Sequence, residues 1–367
     1  MSEWKKTYLR DLIVIKNGKD HKKLKNGQYP VYGSGGIMRY ADSYLYDQES
    51  VLLPRKGTLN NIQFVTEPFW TVDTCYYTVV NRDKVLPYFL YCCLCKMDIQ
   101  SLNTGSAVPS MTFEKYYSIE VPIPPLSTQH CIANILSRYD SLIENYQKQI
   151  KLLEEAAQRL YKEWFVDLRF PGHENTKIID GVPEGWEKKK LHEIAEVVMG
   201  SSPKSEFYNN DKQGLPFHQG VGSYGTRFVD DNVYSTSITR LAEPNSILFS
   251  VRAPVGRLNI TKNKIIIGRG LAAMNHKDGF QSFLFYMLKE RFFMDNIIGN
   301  GSIFASISKV ELLDQEFIVP PMKTIKAFES LASKLDKKIQ GVDTQLRLLT
   351  EARDRLLPKL MSGEITI

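Results

Sequence analysis

Cysteine and histidine are scarce in this 367-residue chain, at five and six positions. Cys92, Cys93 and Cys95 cluster, but no second Cys/His pair stands at zinc spacing, so they are expected to be core or inert thiols. An odd cysteine count fits a reducing compartment, and the opening Met1-Ser2-Glu3-Trp4-Lys5-Lys6 has no apolar signal-peptide core. No apolar run approaches about 20 residues, which argues against a membrane-spanning helix. Together these absences lead us to expect a soluble cytoplasmic protein with no membrane partner. Catalytic signatures are missing too. There is no Gly-x-x-x-x-Gly-Lys-Ser/Thr phosphate loop and no glycine-rich dinucleotide fingerprint after a strand. The Asn/Asp-Pro-Pro-Phe/Tyr tetrapeptide that grips a flipped adenine is also absent. Ile123-Pro124-Pro125-Leu126 and Val319-Pro320-Pro321-Met322 share only its prolines and are expected to end a domain and start a helix. Glu187-Lys188-Lys189 is an acidic-x-Lys without a strand-borne Asp before it, so it makes a poor nuclease site.

What remains is a folded composition, 43% hydrophobic and 24% charged, with 47 Lys+Arg against 41 Asp+Glu. The surplus of +6 permits a nucleic-acid partner without requiring one. The length suits two domains with connectors rather than one core.

The chain repeats itself. Asp140, Ile143, Gln149, Leu153, Arg159 and Leu160 meet identical residues 196 positions later, at Asp336, Ile339, Gln345, Leu349, Arg355 and Leu356. Gly105-Ser106 recurs at Gly301-Ser302, which suggests a turn or phosphate anchor. The start of each unit matches at an offset of 182: Trp4, Leu9 and Gly18 against Trp186, Leu191 and Gly200. The second copy is therefore 14 residues longer, all within its front half. Two copies of a long unit suit a pseudo-twofold object and a target in two halves.

Each copy has a front and a back. The fronts, 1–125 and 185–321, carry short β-branched and aromatic runs such as Tyr29–Tyr32, Ser50–Leu53, Asn61–Val65, Cys75–Val80, Ser246–Val251 and Lys264–Ile267. Helical stretches at Leu86–Met97 and Phe280–Phe293 make these α+β domains, with Trp70, Tyr76 and Tyr77 expected in the core. The backs, 126–168 and 322–367, are long amphipathic helices. The first places Ile132, Ile135, Tyr139, Leu142, Tyr146, Ile150, Leu153, Ala157, Leu160 and Trp164 at steps of three and four, a near-heptad with one stutter. The second repeats it with Phe328, Leu331, Leu335, Ile339, Val342, Leu346, Leu349, Leu356 and Leu360, weakened by Gly341 and by Lys338 and Arg353 at the seam. A helix over 128–164 spans roughly 55 Å, and so narrow a stripe needs a partner helix. The other copy is the obvious one, antiparallel, with a turn-rich linker at 169–184. That pairing would hold the two front domains at opposite ends.

Several stretches carry a family resemblance. Leu160-Tyr161-Lys162-Glu163-Trp164-Phe165-Val166-Asp167, then Pro183-Glu184-Gly185-Trp186, then the run from Arg353 to Ile365 resemble the specificity (S) subunit of type I restriction–modification systems. Tyr29-Pro30-Val31-Tyr32-Gly33-Ser34-Gly35-Gly36 and Arg55-Lys56-Gly57-Thr58 resemble one target-recognition domain. Phe217-His218-Gln219-Gly220, Arg252-Ala253-Pro254-Val255-Gly256 and Gly268-Arg269-Gly270-Leu271-Ala272-Ala273 resemble another. The resemblance covers essentially the whole chain. It implies a non-catalytic subunit whose two recognition domains each read half of a bipartite site on double-stranded DNA. The helices would set the unread spacer and dock two modification subunits. No cofactor is expected in this chain. The partners would supply S-adenosylmethionine for adenine methylation, and restriction/translocase subunits would use ATP and Mg. The alternative is a stand-alone bipartite DNA-binding protein; a fused enzyme fits the missing catalytic motifs poorly.

For such a target, Arg and Lys suit guanine or phosphate, and Asn and Gln suit adenine. The candidates are Ser34, Arg55, Lys56, Asn60 and Asn61 in the first domain, and His218, Gln219, Ser223, Tyr224, Arg252, Arg257 and Arg269 in the second. Lys19, Lys22, Lys23 and Lys25 suit a solvated turn or phosphate contacts. Arg252 and Arg269 fit scaffold, phosphate or base contact equally, while Gln219 and His218 are the readout candidates. Trp164 is expected to pack between helices.

Overall fold

The computed structural model describes residues 4–103, 105, 108–292 and 306–365, so Ser106, Gly301 and Ser302 lie outside the described residues. The chain divides into two compact units, 1–146 with 345–367, and 147–344.

In the first unit the strands are β1 (Lys5–Tyr8), β2 (Ile13–Asn17), β3 (Tyr29–Gly33), β4 (Gly36–Ala41), β5 (Ser50–Pro54), β6 (Gln63–Val65), β7 (Trp70–Thr71), β8 (Cys75–Val80) and β9 (Glu120–Ile123). Two short helices, α1 (Pro87–Cys95) and α2 (Phe113–Tyr117), precede the long α3 (Leu126–Phe165). One sheet has the order β2-β8-β5-β6, a second β4-β3-β7 with β3 and β7 parallel, and β1 pairs with β9. The second unit contains the pair β10 (Ile178–Ile179) and β11 (Val182–Pro183), then β12 (Glu187–Lys190), α4 (Leu191–Ile194), β13 (Ala195–Met199), β14 (Tyr208–Asn209) and β15 (Leu215–His218). It continues with β16 (Tyr234–Ser235), β17 (Leu241–Ala242), β18 (Ile247–Ser250), β19 (Leu258–Ile260), β20 (Ile265–Ile267) and β21 (Leu271–His276). After α5 (Gln281–Phe292), α6 (Lys309–Leu313) and β22 (Glu316–Val319) comes the long α7 (Met322–Met361). Its sheets are β13-β21-β18-β19, β14-β16-β15-β20-β17 and β12-β22.

Strand register reproduces both sequence offsets. Lys5 pairs with Ile123 and Glu187 with Val319, so one strand moves by 182 and its partner by 196. Leu53–Tyr76 and Phe249–Ala272 are both 196 apart. The parallel pairs Val31–Trp70 and Phe217–Ile266 are offset by 186 and 196. The insertion is thereby located: four residues before β15 and ten between β15 and β18. A matched close approach fixes the frame. A Cβ on Gly18 would stand 2.0 Å from the Val72 carbonyl oxygen, and one on Gly200 2.1 Å from that of Gly268, so neither position accepts a side chain.

The long helices correct the seam. Leu136, Ile143, Ile150, Ala157 and Trp164 are buried at every seventh position, and Ile132, Tyr139, Tyr146, Leu153 and Leu160 alternate with them. The steps are then four and three throughout, without a stutter. Leu142 is 46% exposed while Ile143 is 8% exposed, and on α7 Leu331 is 43% exposed while Ala332 is fully buried. Ile135 is half-buried against the first domain's core, which also takes in Leu136, Leu360 and Met361. Lys338 and Gly341 lie exposed, off the seam, whereas Arg353 does occupy it. Within each unit the helices run antiparallel. Asp140 meets Arg353 while Ile132 and Leu136 share a core with Leu360; in the other unit Tyr161 and Trp164 pack on Phe328 at ring distances of 5.8 and 6.0 Å.

Neighbouring positions on α3 should therefore behave differently. Ile143→Ala is expected to cost about 2–4 kcal/mol, and Leu142→Ala within about 0.5 kcal/mol, by equilibrium urea denaturation. Equal losses would contradict the corrected seam.

Candidate nucleic-acid interface

In the first domain two turns meet. The Gly33–Gly36 turn joins β3 to β4, and the loop after β5 returns beside it: Asn61 Nδ2 donates to the Ser34 carbonyl at 2.8 Å, and Gln63 Nε2 to that of Gly33 at 3.2 Å. Arg55 is half-buried, donating through Nη1 to the Asp73 carbonyl at 3.4 Å with its guanidinium 5.8 Å from the Tyr76 ring centre. Lys56 is exposed and its backbone bridges Ser110. Asn60 is engaged in bracing its own loop, accepting from the Gln100 amide at 2.7 Å and donating to Asp98 at 3.3 Å. Lys19, Lys22, Lys23 and Lys25 are exposed on a turn in which Asp20 accepts from the Lys22 amide, and that bond holds its carboxyl below the usual value. Asn103 closes the Gly105 turn, accepting from the amides of Gly105 at 2.9 Å and Ser110 at 2.8 Å. Tyr76 is buried, Tyr77 packs on Tyr46 and Phe69, and Trp70 Nε1 donates to the Lys19 carbonyl.

The second domain builds its edge at the end of β15 and the turn between β20 and β21. Gln219 and Arg269 are exposed, and one serine joins them: Ser202 Oγ donates to Gln219 Oε1 at 2.8 Å and accepts the Arg269 amide at 3.1 Å. A Cβ on Gly268 would stand 2.9 Å from the Gln219 Cα, so the turn needs glycine to approach this closely. The Ile267 amide donates to the Arg240 carbonyl, and the Arg240 side chain is exposed. Nothing in the residue pattern singles out Ser202 or Arg240; both are common polar types in loops. Arg252 is exposed and bridges Ser306, as Lys56 bridges Ser110 in the first copy, each pair 196 apart. The half-buried Arg257 accepts the Ser250 amide at its carbonyl and donates its own amide to Ser250 Oγ.

Two candidates turn inward. His218 is 1% exposed, with Nδ1 2.7 Å from Ser223 Oγ and Nε2 2.9 Å from Asp231 Oδ1. Asp231 also accepts from Asn263 at 2.8 Å; burial would raise its carboxyl, but the bonds from His218 and Asn263 outweigh it and hold it below the ordinary value. Tyr224 packs beside the core of Val229, Leu248 and Ile267, and burial pushes its phenol up. Neither side chain is free to touch a base, which corrects the expectation for both. They shape the loop that presents Gln219.

Behind each edge the domain is fastened to a long helix. Gln129 accepts from the Leu86 amide at the start of α1 at 2.9 Å, and Glu329 takes the Ser282 and Phe283 amides at the start of α5 at 3.2 and 2.9 Å. Helix starts carry unpaired N–H groups, so these side chains satisfy donors that burial would otherwise strand. Tyr88 Oη donates to Asp140 at 2.5 Å and Tyr286 Oη to Asp336 at 2.7 Å.

Residues 1–155 and 183–346 match the family described as type I restriction modification DNA specificity domain. The chain belongs to this family of specificity subunits. It is 28% identical over 346 residues to the type I restriction enzyme MjaIX specificity subunit of Methanocaldococcus jannaschii, covering 88% of this chain and 79% of that one. To the HindI specificity subunit of Haemophilus influenzae it is 22% identical, over 78% of this chain and 79% of that one. The S subunit of the type I restriction–modification system from M. genitalium shares the fold, with a TM-score of 0.67, 18% identity and coverage of 98% and 96%. Among the described residues no helix is long and apolar enough to cross a membrane.

Within this specificity subunit His218 and Gln219 are adjacent but should separate in stability. His218→Ala removes a buried partner of both Asp231 and Ser223 and should cost about 2 kcal/mol; Gln219→Ala should stay within about 0.5 kcal/mol. Thermal denaturation checks this, and a neutral His218→Ala would refute the buried assignment.

Proposed function

We propose that each recognition domain of this specificity subunit reads one half of a bipartite DNA site, and that the chain performs no chemistry itself. One observation carries this. The two copies keep a cation at the same place in the frame, Lys56 and Arg252, each bridged to a serine, while the neighbouring polar side chains differ: half-buried Ser34 and Arg55 in one, exposed Gln219 and Arg269 in the other. A shared cation suits the phosphate backbone, which is the same in every sequence; divergent polar tips suit base edges. Gln219 and Arg269 present donors to the acceptors of a purine edge, held by Ser202 and glycine turns that limit their freedom. The paired helices set the unread spacer and dock two modification subunits. Those partners bind S-adenosylmethionine and methylate one adenine per half-site after base flipping. Restriction/translocase subunits, using ATP and Mg, complete the complex.

The two kinds of contact separate by experiment. In the complex with its modification subunits, Gln219→Ala should relax the sequence requirement in one half of the motif only, costing about 1–3 kcal/mol of discrimination. Lys56→Ala should weaken binding to all sequences and reduce the slope of log affinity against log salt by about one. A Gln219→Ala that altered both halves, or a Lys56→Ala that altered the preferred sequence, would contradict the assignment.

A further inference from the structure

Asp140 and Asp336 occupy the same position in the two copies, and each is held by a tyrosine and an arginine. The tyrosines come from corresponding helices, Tyr88 on α1 and Tyr286 on α5. The arginines do not correspond. In the first unit the cation is Arg353 of α7, Nη1 3.0 Å from Asp140 Oδ1. The position 196 residues before Arg353 is Ala157, fully buried, so the second unit has no cation on its helix there. Its arginine comes from the recognition domain instead. Arg227, 2% exposed, places Nη2 2.6 Å from Asp336 Oδ1 and 3.3 Å from Tyr286 Oη, with Nη1 3.7 Å from Glu154. Its guanidinium lies 3.6 Å over the Phe285 ring.

Arg227 cannot be a DNA contact at that burial, although it lies in the recognition domain. It stands eight residues beyond Gln219 in the segment between β15 and β16, within the stretch where the second copy carries its ten extra residues. One segment thus has exposed Gln219 near its start and buried Arg227 further on, with His218 bonded both to Ser223 between them and to Asp231 beyond them. We infer that Arg227 is a positioning residue for the second half-site, fixing the reach of the Gln219 loop by clamping it through Asp336 and Glu154 to α7 and α3. This rests on the half-site reading above. A consequence follows for domain exchange. A second recognition domain lacking such an arginine leaves Asp336 and Glu154 without their cation, whereas the first domain needs only a tyrosine because Arg353 stays with the helix.

The test uses the full chain assembled with its modification subunits. DNA substrates carry the native motif, or the same half-sites with the spacer one base pair shorter or longer. Hydrogen exchange of α5 is read in parallel. Arg227→Ala should lower methylation at the native spacing by ~100-fold, the scale of an ångström-sized misplacement, and narrow its preference over the altered spacers. It should also deprotect α5. Adding Ala157→Arg moves the cation onto α3, where it meets Asp336 without holding the loop, and should restore α5 protection but not spacer preference. Tyr286→Phe, a milder loss that keeps the core, should shift spacer preference in the same direction by about fivefold, so the inference stands or falls even when Arg227→Ala does not fold. Unchanged spacer preference in Tyr286→Phe, or a folded double variant that regains spacer preference, would overturn it. Wild-type methylation indifferent to spacing would instead overturn the half-site reading, while α5 protection still decides the clamp.

Discussion

Two 40-residue helices, α3 and α7, bury a seam of mostly apolar side chains at alternating steps of three and four, and a stripe that narrow cannot hold a helix folded in water. Everything else in the chain is arranged around the need to cover it. Within each unit half of one helix packs on half of the other, and part of its remaining surface receives α1 or α5 of the adjoining domain. The helices therefore serve as core for the recognition domains as well as for each other. A domain docked by its own helix cannot drift relative to the seam without uncovering Ile132 and Leu136 in one unit or Phe328 in the other.

The polar contacts refine what the seam begins. Gln129 and Glu329 take the free amides of the docked helices, and Asp140 and Asp336 take a tyrosine each. Burial pushes the Glu329 carboxyl up, and the amides of Ser282 and Phe283 oppose that push, so the contact is directional as well as close. A hydrophobic seam fixes distance; these bonds fix angle. The two copies solve the same problem with different arginines, and the difference falls where the sequence lengths diverge.

Much of this was legible in the sequence. The offsets of 182 and 196 are the register differences of paired strands, because a strand pair copied as a unit keeps its partners. Strands such as Cys75–Val80 and the span of both long helices followed from residue type and period. The seam phase did not, for a local reason. Leu142-Ile143, Ile135-Leu136 and Leu331-Ala332 are adjacent apolar pairs, and only the partner helix decides which member faces it. The candidate site was less legible still. His218 and Gln219 are neighbours of similar polarity at a strand end, yet one is sealed by Ser223 and Asp231 and the other is exposed. Arg227 resembled any loop arginine, because its burial depends on Asp336, 109 positions away.

On the proposed reading, the paired helices measure DNA while the domains read it. Removing opposed heptads, 145–151 from α3 together with 342–348 from α7, preserves seam phase and shortens the pair by about 10 Å. That is about three base pairs at 3.4 Å each. Methylome sequencing of cells expressing this variant with its modification subunit should return both half-motifs unchanged, separated by a spacer about three base pairs shorter. An unchanged spacer, or altered half-motifs, would contradict the account.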